Sequence, residues 1–97
     1  EILYLESDKH TVRIYMLSSS AGPYSCYASL QSFEEKLQPL GFLRVQKSYL
    51  VNMRHIKKLQ CSEVIMENGL TLPVSGKNYS EIKRAYLLWK GVQTWNT

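Results

Sequence analysis

The side chains able to attack, protonate or ligate are few and scattered. His10 and His55 lie far apart, and neither belongs to an HExxH, GxSxG, GxGxxG or phosphate-loop pattern. Each reads as a lone surface or core histidine. The 8 Asp and Glu residues show no paired-carboxylate spacing. Cys26 and Cys61 form no CxxC and are too few for a disulfide scaffold. They read as buried free thiols in a reducing compartment. Metal-ligand spacing is absent. The expectation is a protein that is not an enzyme and needs no cofactor.

Charge is more informative. No acid lies between Glu35 and Glu63, a stretch that holds Lys36, Arg44, Lys47, Arg54, Lys57 and Lys58. A second acid-free stretch, Asn68 to Ser80, holds Lys77. Such segregation fits a polyanion, nucleic acid or an acidic membrane surface, or else a solvated face whose acids lie elsewhere. Within the first stretch, residues 42–52 read Phe-Leu-Arg-Val-Gln-Lys-Ser-Tyr-Leu-Val-Asn. This is a short strand, a polar basic step, then an apolar turn. Gln46, Lys47 and Ser48 fall in a loop, and Tyr49, Leu50 and Val51 pin it to the core. Lys and Gln on an anchored loop suit phosphates and base edges.

The elements that must hold this loop come from 97 residues, one domain's worth. A chain of this mass buries roughly 65% of its unfolded surface, enough for one modest core. Hydrophobic residues make up 44% and charged ones 21%, which excludes disorder. No apolar run is long enough for a membrane helix. The chain opens on Glu1 with a strand-like run, so it reads as part of a longer protein whose remainder is N-terminal.

Ile2 to Glu6 is an apolar run, and Thr11 to Leu17 alternates with period two. Residues 18–23, rich in Ser with Gly22 and Pro23, form a loop, and Tyr24 to Ala28 resumes a strand. Leu30, Phe33 and Leu37 then share a helix face, with a helix predicted over 29–37. Ser29, or Ser32 with Glu35, can cap it, and Pro39 and Gly41 end it. Phe42–Val45 and Ile56–Gln60 are short strands. Asn68-Gly69 between Val64–Glu67 and Leu70–Val74 predicts a two-residue hairpin of type I′, and Pro73 puts its strand at an edge. Tyr79, Ile82, Tyr86 and Trp89 form the apolar stripe of a last helix over 77–90, capped by Ser75 or Asn78 and stopped by Gly91.

Residues 42–52 resemble the LytTR family of bacterial DNA-binding output domains, whose pattern is Phe-x-Arg, a basic or His pair, then Ser-Tyr-hydrophobic-Val-Asn. The resemblance extends over nearly the whole chain. Ile2–Ser7 resembles the family's opening strand, Val12-Arg13-Ile14 follows in place, and Ser29-Leu30 with Phe33-Glu34 matches its short helix. Asn68-Gly69 and Leu72-Pro73-Val74-Ser75 match its hairpin and the approach to its last helix. The resemblance implies a mainly β fold, an elongated stack of small antiparallel sheets with two short peripheral helices, forming a single domain over 1–97. It implies double-stranded DNA as partner, with loops entering successive grooves.

By the same resemblance the domain is the cytoplasmic output half of a two-component response regulator. The resemblance also implies an N-terminal receiver that brings two copies together on promoter repeats, with no membrane involved. Three loops then face DNA. The first carries Lys9 and His10, the second Gln46 and Lys47, the third Ser75, Lys77 and Asn78. Gln46 replaces a common His and Gly76 a common Arg, which bears on affinity and target sequence more than on family. The plainer roles are turn residues for Lys9 and His10, structural packing for Arg13 and Arg44, loop orientation for Asn52, and a solvated strand for Lys57 and Lys58. Tyr86 and Trp89 read as core, and Trp95 as a tail contact. A small β-barrel stacking single-stranded nucleic acid on tyrosines, or a purely structural β domain, is the rival reading.

Overall fold

The structure, a computed structural model, describes residues 1–18 and 22–95, the last three as backbone only. Residues 19–21 of the Ser-rich loop and the side chain of Trp95 lie outside the described residues.

Strands β1 (Ile2–Asp8), β2 (Thr11–Met16), β3 (Tyr24–Tyr27), β4 (Phe42–Gln46) and β5 (Tyr49–Asn52) form an antiparallel sheet in the order β3-β2-β1-β5-β4. Strands β6 (Ile56–Leu59), β7 (Glu63–Met66) and β8 (Thr71–Pro73) form a second, in sequence order. Helix α1 spans Leu30–Leu37 and α2 spans Tyr79–Trp95. The whole measures 35 × 30 × 25 Å.

The five-stranded sheet is buried on both faces. Leu5, Val12, Phe42 and Leu50 pack under Leu30 of α1, with Phe33 and Leu37 beside them. On the other face Leu3, Tyr4, Val45 and Val51 meet Val64, Met66 and Leu72 of the second sheet and Ile82 and Tyr86 of α2. A bulge at Leu3 makes this possible. Ile2 pairs with Met16 and Tyr4 with Tyr15, so Leu3 is the extra residue. Leu3 and Tyr4 thereby join one core and Ile2 and Leu5 the other. Ser29 caps α1, its hydroxyl accepting from the Ser32 amide at 3.2 Å, while Ser32 lies inside the helix. A 3₁₀ turn over Gln38–Leu40 follows, closed by Gly41 at φ 98°. That glycine is buried, and a Cβ there would lie 3.0 Å from Nε1 of Trp89.

Four expectations are corrected. Tyr49–Asn52 is an inner strand, not a turn; Leu50 faces one core and Val51 the other. The 63–74 hairpin stands, but its turn is not type I′. Gly69 has φ 90° and Asn68 no positive φ; the Gly69 amide donates to the Met66 carbonyl at 2.9 Å. The turn proper is Met66–Gly69, ending on the left-handed glycine, and Asn68 Oδ1 accepts from the Leu70 amide. Helix α2 starts at Tyr79 and runs through Gly91 to Trp95. Gly91 keeps a helical sign of φ, a cost of about 0.5–1 kcal/mol that a long helix absorbs. Cys61 is exposed, while Cys26 is half-buried against the α1 core.

Candidate nucleic-acid interface

The loop joining β4 to β5 is held from several sides. In β4, Arg44 pairs with Leu50 and Gln46 with Tyr49, so Val45 is bulged. Its side chain is fully buried, and its carbonyl accepts from the Ser75 amide at 2.8 Å. The Arg44 guanidinium turns back on the loop. Nε and Nη2 donate to the Lys47 carbonyl at 3.1 and 2.6 Å, and Nη1 donates to Glu34 Oε1 of α1 at 2.8 Å. The Ser48 carbonyl accepts from the Ser7 amide at 2.9 Å. Gln46 Oε1 accepts from the Ser48 amide at 3.2 Å. Of these three loop residues only Lys47 is exposed.

This places Arg44 as a clamp. It also alters the reading of Gln46. Bidentate contact with adenine needs both the oxygen and the amide nitrogen. While Gln46 closes its own loop, its oxygen keeps one lone pair for a base beside the N–H₂ donor, in an orientation set by the Ser48 amide.

The Ser75–Val45 bond draws the third loop alongside. Gln46, Lys47, Ser75 and Asn78 line one hollow of about 240 Å³ together with Arg44 and Ile82. Asn78 takes the N-cap position of α2, its carbonyl accepting from the Ile82 amide at 3.0 Å. Lys77 is exposed on the same loop. The first loop stands next to these through Ser7. Lys9 and His10 are exposed at the tip between the paired Asp8 and Thr11. Lys9 has φ 58°, a conformation glycine usually supplies at the first centre of a two-residue hairpin turn. The His10 ring leans on Tyr27, with centroids 5.9 Å apart.

The acids at this end are engaged. Asp8 accepts from Arg13 at 3.1 Å, and the Tyr15 and Tyr49 hydroxyls donate to the two oxygens of Glu6 at 3.3 and 3.2 Å. Burial, and then the charge of Glu6, hold both tyrosines above the usual phenol range, so they remain donors. Apart from Asp8, which is exposed but paired with Arg13, the exposed groups at the three tips are cationic or polar.

All seven predicted residues thus fall on three adjoining loops, four of them around one hollow. Lys57 and Lys58 do not join them; they are exposed on β6, beside α2. Asn52 is buried and structural, donating to the Ile2 carbonyl and accepting from the Arg54 amide. Sequence reasoning missed Glu34, Ser7 and Tyr27. The Phe-x-Arg pattern was the one available signal for a partner to Arg44. Among the described residues no three His, Cys, Asp or Glu side chains are arranged to hold a metal.

A family model described as "LytTr DNA-binding domain" matches residues 1–86. The chain belongs to the LytTr family. Its similarity to solved structures agrees: the LytTr DNA-binding domain of a Bacillus cereus protein superposes with a TM-score of 0.69 at 30% identity, over 89% of this chain and 80% of that one. Among curated relatives, the CO-responsive transcriptional regulator RcoM of Rhodospirillum rubrum is 32% identical over 70% of this chain. The transcriptional regulatory protein LytR of Staphylococcus aureus is 31% identical over 62% of it. The sensory transduction protein LytT of Bacillus subtilis is 29% identical over 87% of it. The chain spans 29%, 26% and 36% of these relatives' lengths, respectively. As a LytTr domain it is a DNA-binding module of transcription regulation. No helix among the described residues is long and apolar enough to cross a membrane.

Proposed function

We propose that the domain binds double-stranded DNA sequence-specifically through the three loops, as the cytoplasmic output part of a longer response regulator. The observation that carries this reading is the convergence of Lys9, His10, Gln46, Lys47, Ser75, Lys77 and Asn78 at one end of the fold, on backbone held before DNA arrives. Lys9 and Lys77 dock on phosphates, Lys47 reaches a base edge, and Gln46, Ser75 and Asn78 supply polar contacts between them. Pre-ordering keeps the entropic cost of binding small. A receiver domain in the full chain would pair two copies on promoter repeats. Single-strand binding by stacking has less support. Five of the seven tyrosines pack into the core, leaving Tyr24 and Tyr27 exposed on one edge strand.

Titration of duplex against single-stranded DNA at several salt concentrations tests the reading. With about five phosphates neutralised, log K should fall against log salt with a slope near −4.5. Lys47→Ala should cost about 1–3 kcal/mol on the specific site and relax preference at one position. Lys83→Ala, on α2, is the control and should do neither. Equal losses for the two variants would mean a diffuse field and no reading loop.

A further inference from the structure

Helix α2 has two apolar faces, and the core uses one. Ile82 and Tyr86 are buried, with Tyr79 and Trp89 packed beside them. On the outer side Leu87, Leu88 and Val92 stand 53%, 62% and 55% exposed. Leu88 and Val92 stand one helical turn apart, and Leu87 lies beside Leu88 on the same outer half of the helix. Two hollows flank it. One is a shallow, open groove along α2 itself, lined by Ser80, Lys83, Arg84, Leu87 and Leu88 together with Tyr79. The other, of about 230 Å³, lies between α2 and β6, where Lys57, Lys58, Lys83 and Lys90 surround Tyr79, Tyr86 and Leu87. No acid lines either hollow. Glu81, the only acid in residues 79–92, lines a different hollow, with Glu34 and Arg44.

We propose that this face docks an acidic amphipathic helix of a partner protein. Its apolar side chains would cover Leu87, Leu88 and Val92, and its carboxylates would meet the five cations around them. Charge selects this occupant. A second copy placed face to face would set the same five cations against themselves. A DNA backbone would answer the lysines and leave the leucines uncovered. The hollow between α2 and β6 is a recess that protruding side chains of a helix enter and a flat lipid surface does not. The face lies apart from the hollow formed by the second and third loops, so docking and DNA binding are compatible.

The test uses the 97-residue chain and a designed helical peptide with Leu at i, i+3, i+4 and i+7 and Glu at the outer positions. A peptide with Lys in place of Glu, an unrelated duplex and anionic lipid vesicles are the comparison probes. The acidic peptide should bind, shifting amide resonances of residues 57–59 and 79–92, and the Lys peptide should not. Leu87→Ser with Leu88→Ser, and separately Lys57→Ala with Lys83→Ala, should each weaken the peptide by about tenfold or more. Both variants should keep the wild-type melting temperature and duplex affinity. Equal binding of the two peptides, shifts confined to the three loops, duplex or vesicles claiming the α2 face in preference, or self-association through it would each overturn the proposal.

Discussion

Replacing Arg44 separates the holding of the β4–β5 loop from the DNA reading proposed for it. Arg44 touches the loop only through the Lys47 carbonyl, and is itself held by Glu34. The Arg44 and Glu34 side chains are 28% and 29% exposed, so their ion pair contributes no more than about 1 kcal/mol. The bonds to the carbonyl are charge-assisted and contribute about 1.5–3 kcal/mol. Arg44→Ala should therefore cost about 2–3 kcal/mol of stability, read by urea unfolding. Its effect on DNA comes through order. Ser48 stays tied to Ser7 and Gln46, so Lys47 is the residue released. Ordering one backbone residue costs about 1–2 kcal/mol, or roughly 5- to 30-fold in affinity for the folded protein. The salt slope should not change, because no phosphate contact is lost. Arg44→Lys keeps the charge but lacks the planar fork, and should behave as Arg44→Ala does. Glu34→Gln should fall between wild type and Arg44→Ala. Recovery of affinity by Arg44→Lys, or a salt slope about one unit shallower in Arg44→Ala, would mean that Arg44 meets DNA directly, and the clamp would be refuted.

His55 is buried with Nδ1 on Glu67 at 2.8 Å and Nε2 on Glu1 at 2.5 Å. Burial pulls its pKa down, but the two carboxylates outweigh burial and raise it above 6.5. A raised folded-state pKa stabilises fully below the unfolded value and is lost as pH climbs through the folded one. The melting temperature should thus decline as pH is raised from about 6.5 through that value, and His55→Gln should remove this slope; an unchanged slope would clear His55 of the effect. Lys9→Gly should raise stability by about 1–2 kcal/mol by relieving the left-handed residue, yet weaken duplex binding; undiminished binding would remove Lys9 from the interface. Trp89 is half-buried beside Tyr86, so Trp89→Ala should cost less than the 3–5 kcal/mol of a fully buried ring, about 1–3 kcal/mol, with DNA affinity of the folded fraction preserved. Lost binding at unchanged stability would put Trp89 in a site and not in the core.

Local pattern carried much of this fold. The alternation in Thr11–Met16, the Leu30–Phe33–Leu37 spacing with its Ser29 cap, and the stripe from Tyr79 to Trp89 each produced the element they imply. Tyr49–Asn52 failed as a strand signal because Leu50 and Val51 are buried on opposite faces, which erases the period of two. Asn68-Gly69 marked the hairpin, but the loop closed one residue earlier, and no local rule chooses between these registers. Gly91 is a helix stop by preference only; at φ below zero it is simply a weak helix former. The candidate site was legible as residue types on loops. What joins the loops was not. The Ser75–Val45 bond spans 30 positions, and the Arg44–Glu34 pair links a strand to a helix 10 positions earlier. Both are products of the sheet order.

The bonds that tie the three tips together also decide which partner must adapt. The domain's longest dimension, 35 Å, is close to one turn of B-form DNA, about 34 Å. With the loops docked as proposed, projections fixed in this way would act as a template to which the duplex conforms. Bending a site of roughly 20–30 base pairs by 40–90° costs about 1–6 kcal/mol, more over a shorter length, and depends on the base steps being bent. Target choice would then have two layers, one written in the bases beneath Lys47 and its neighbours, the other in the pliancy of the steps between them. Pyrimidine–purine steps such as TA in those gaps would favour binding, and stiff A-tracts would oppose it, at positions no side chain touches.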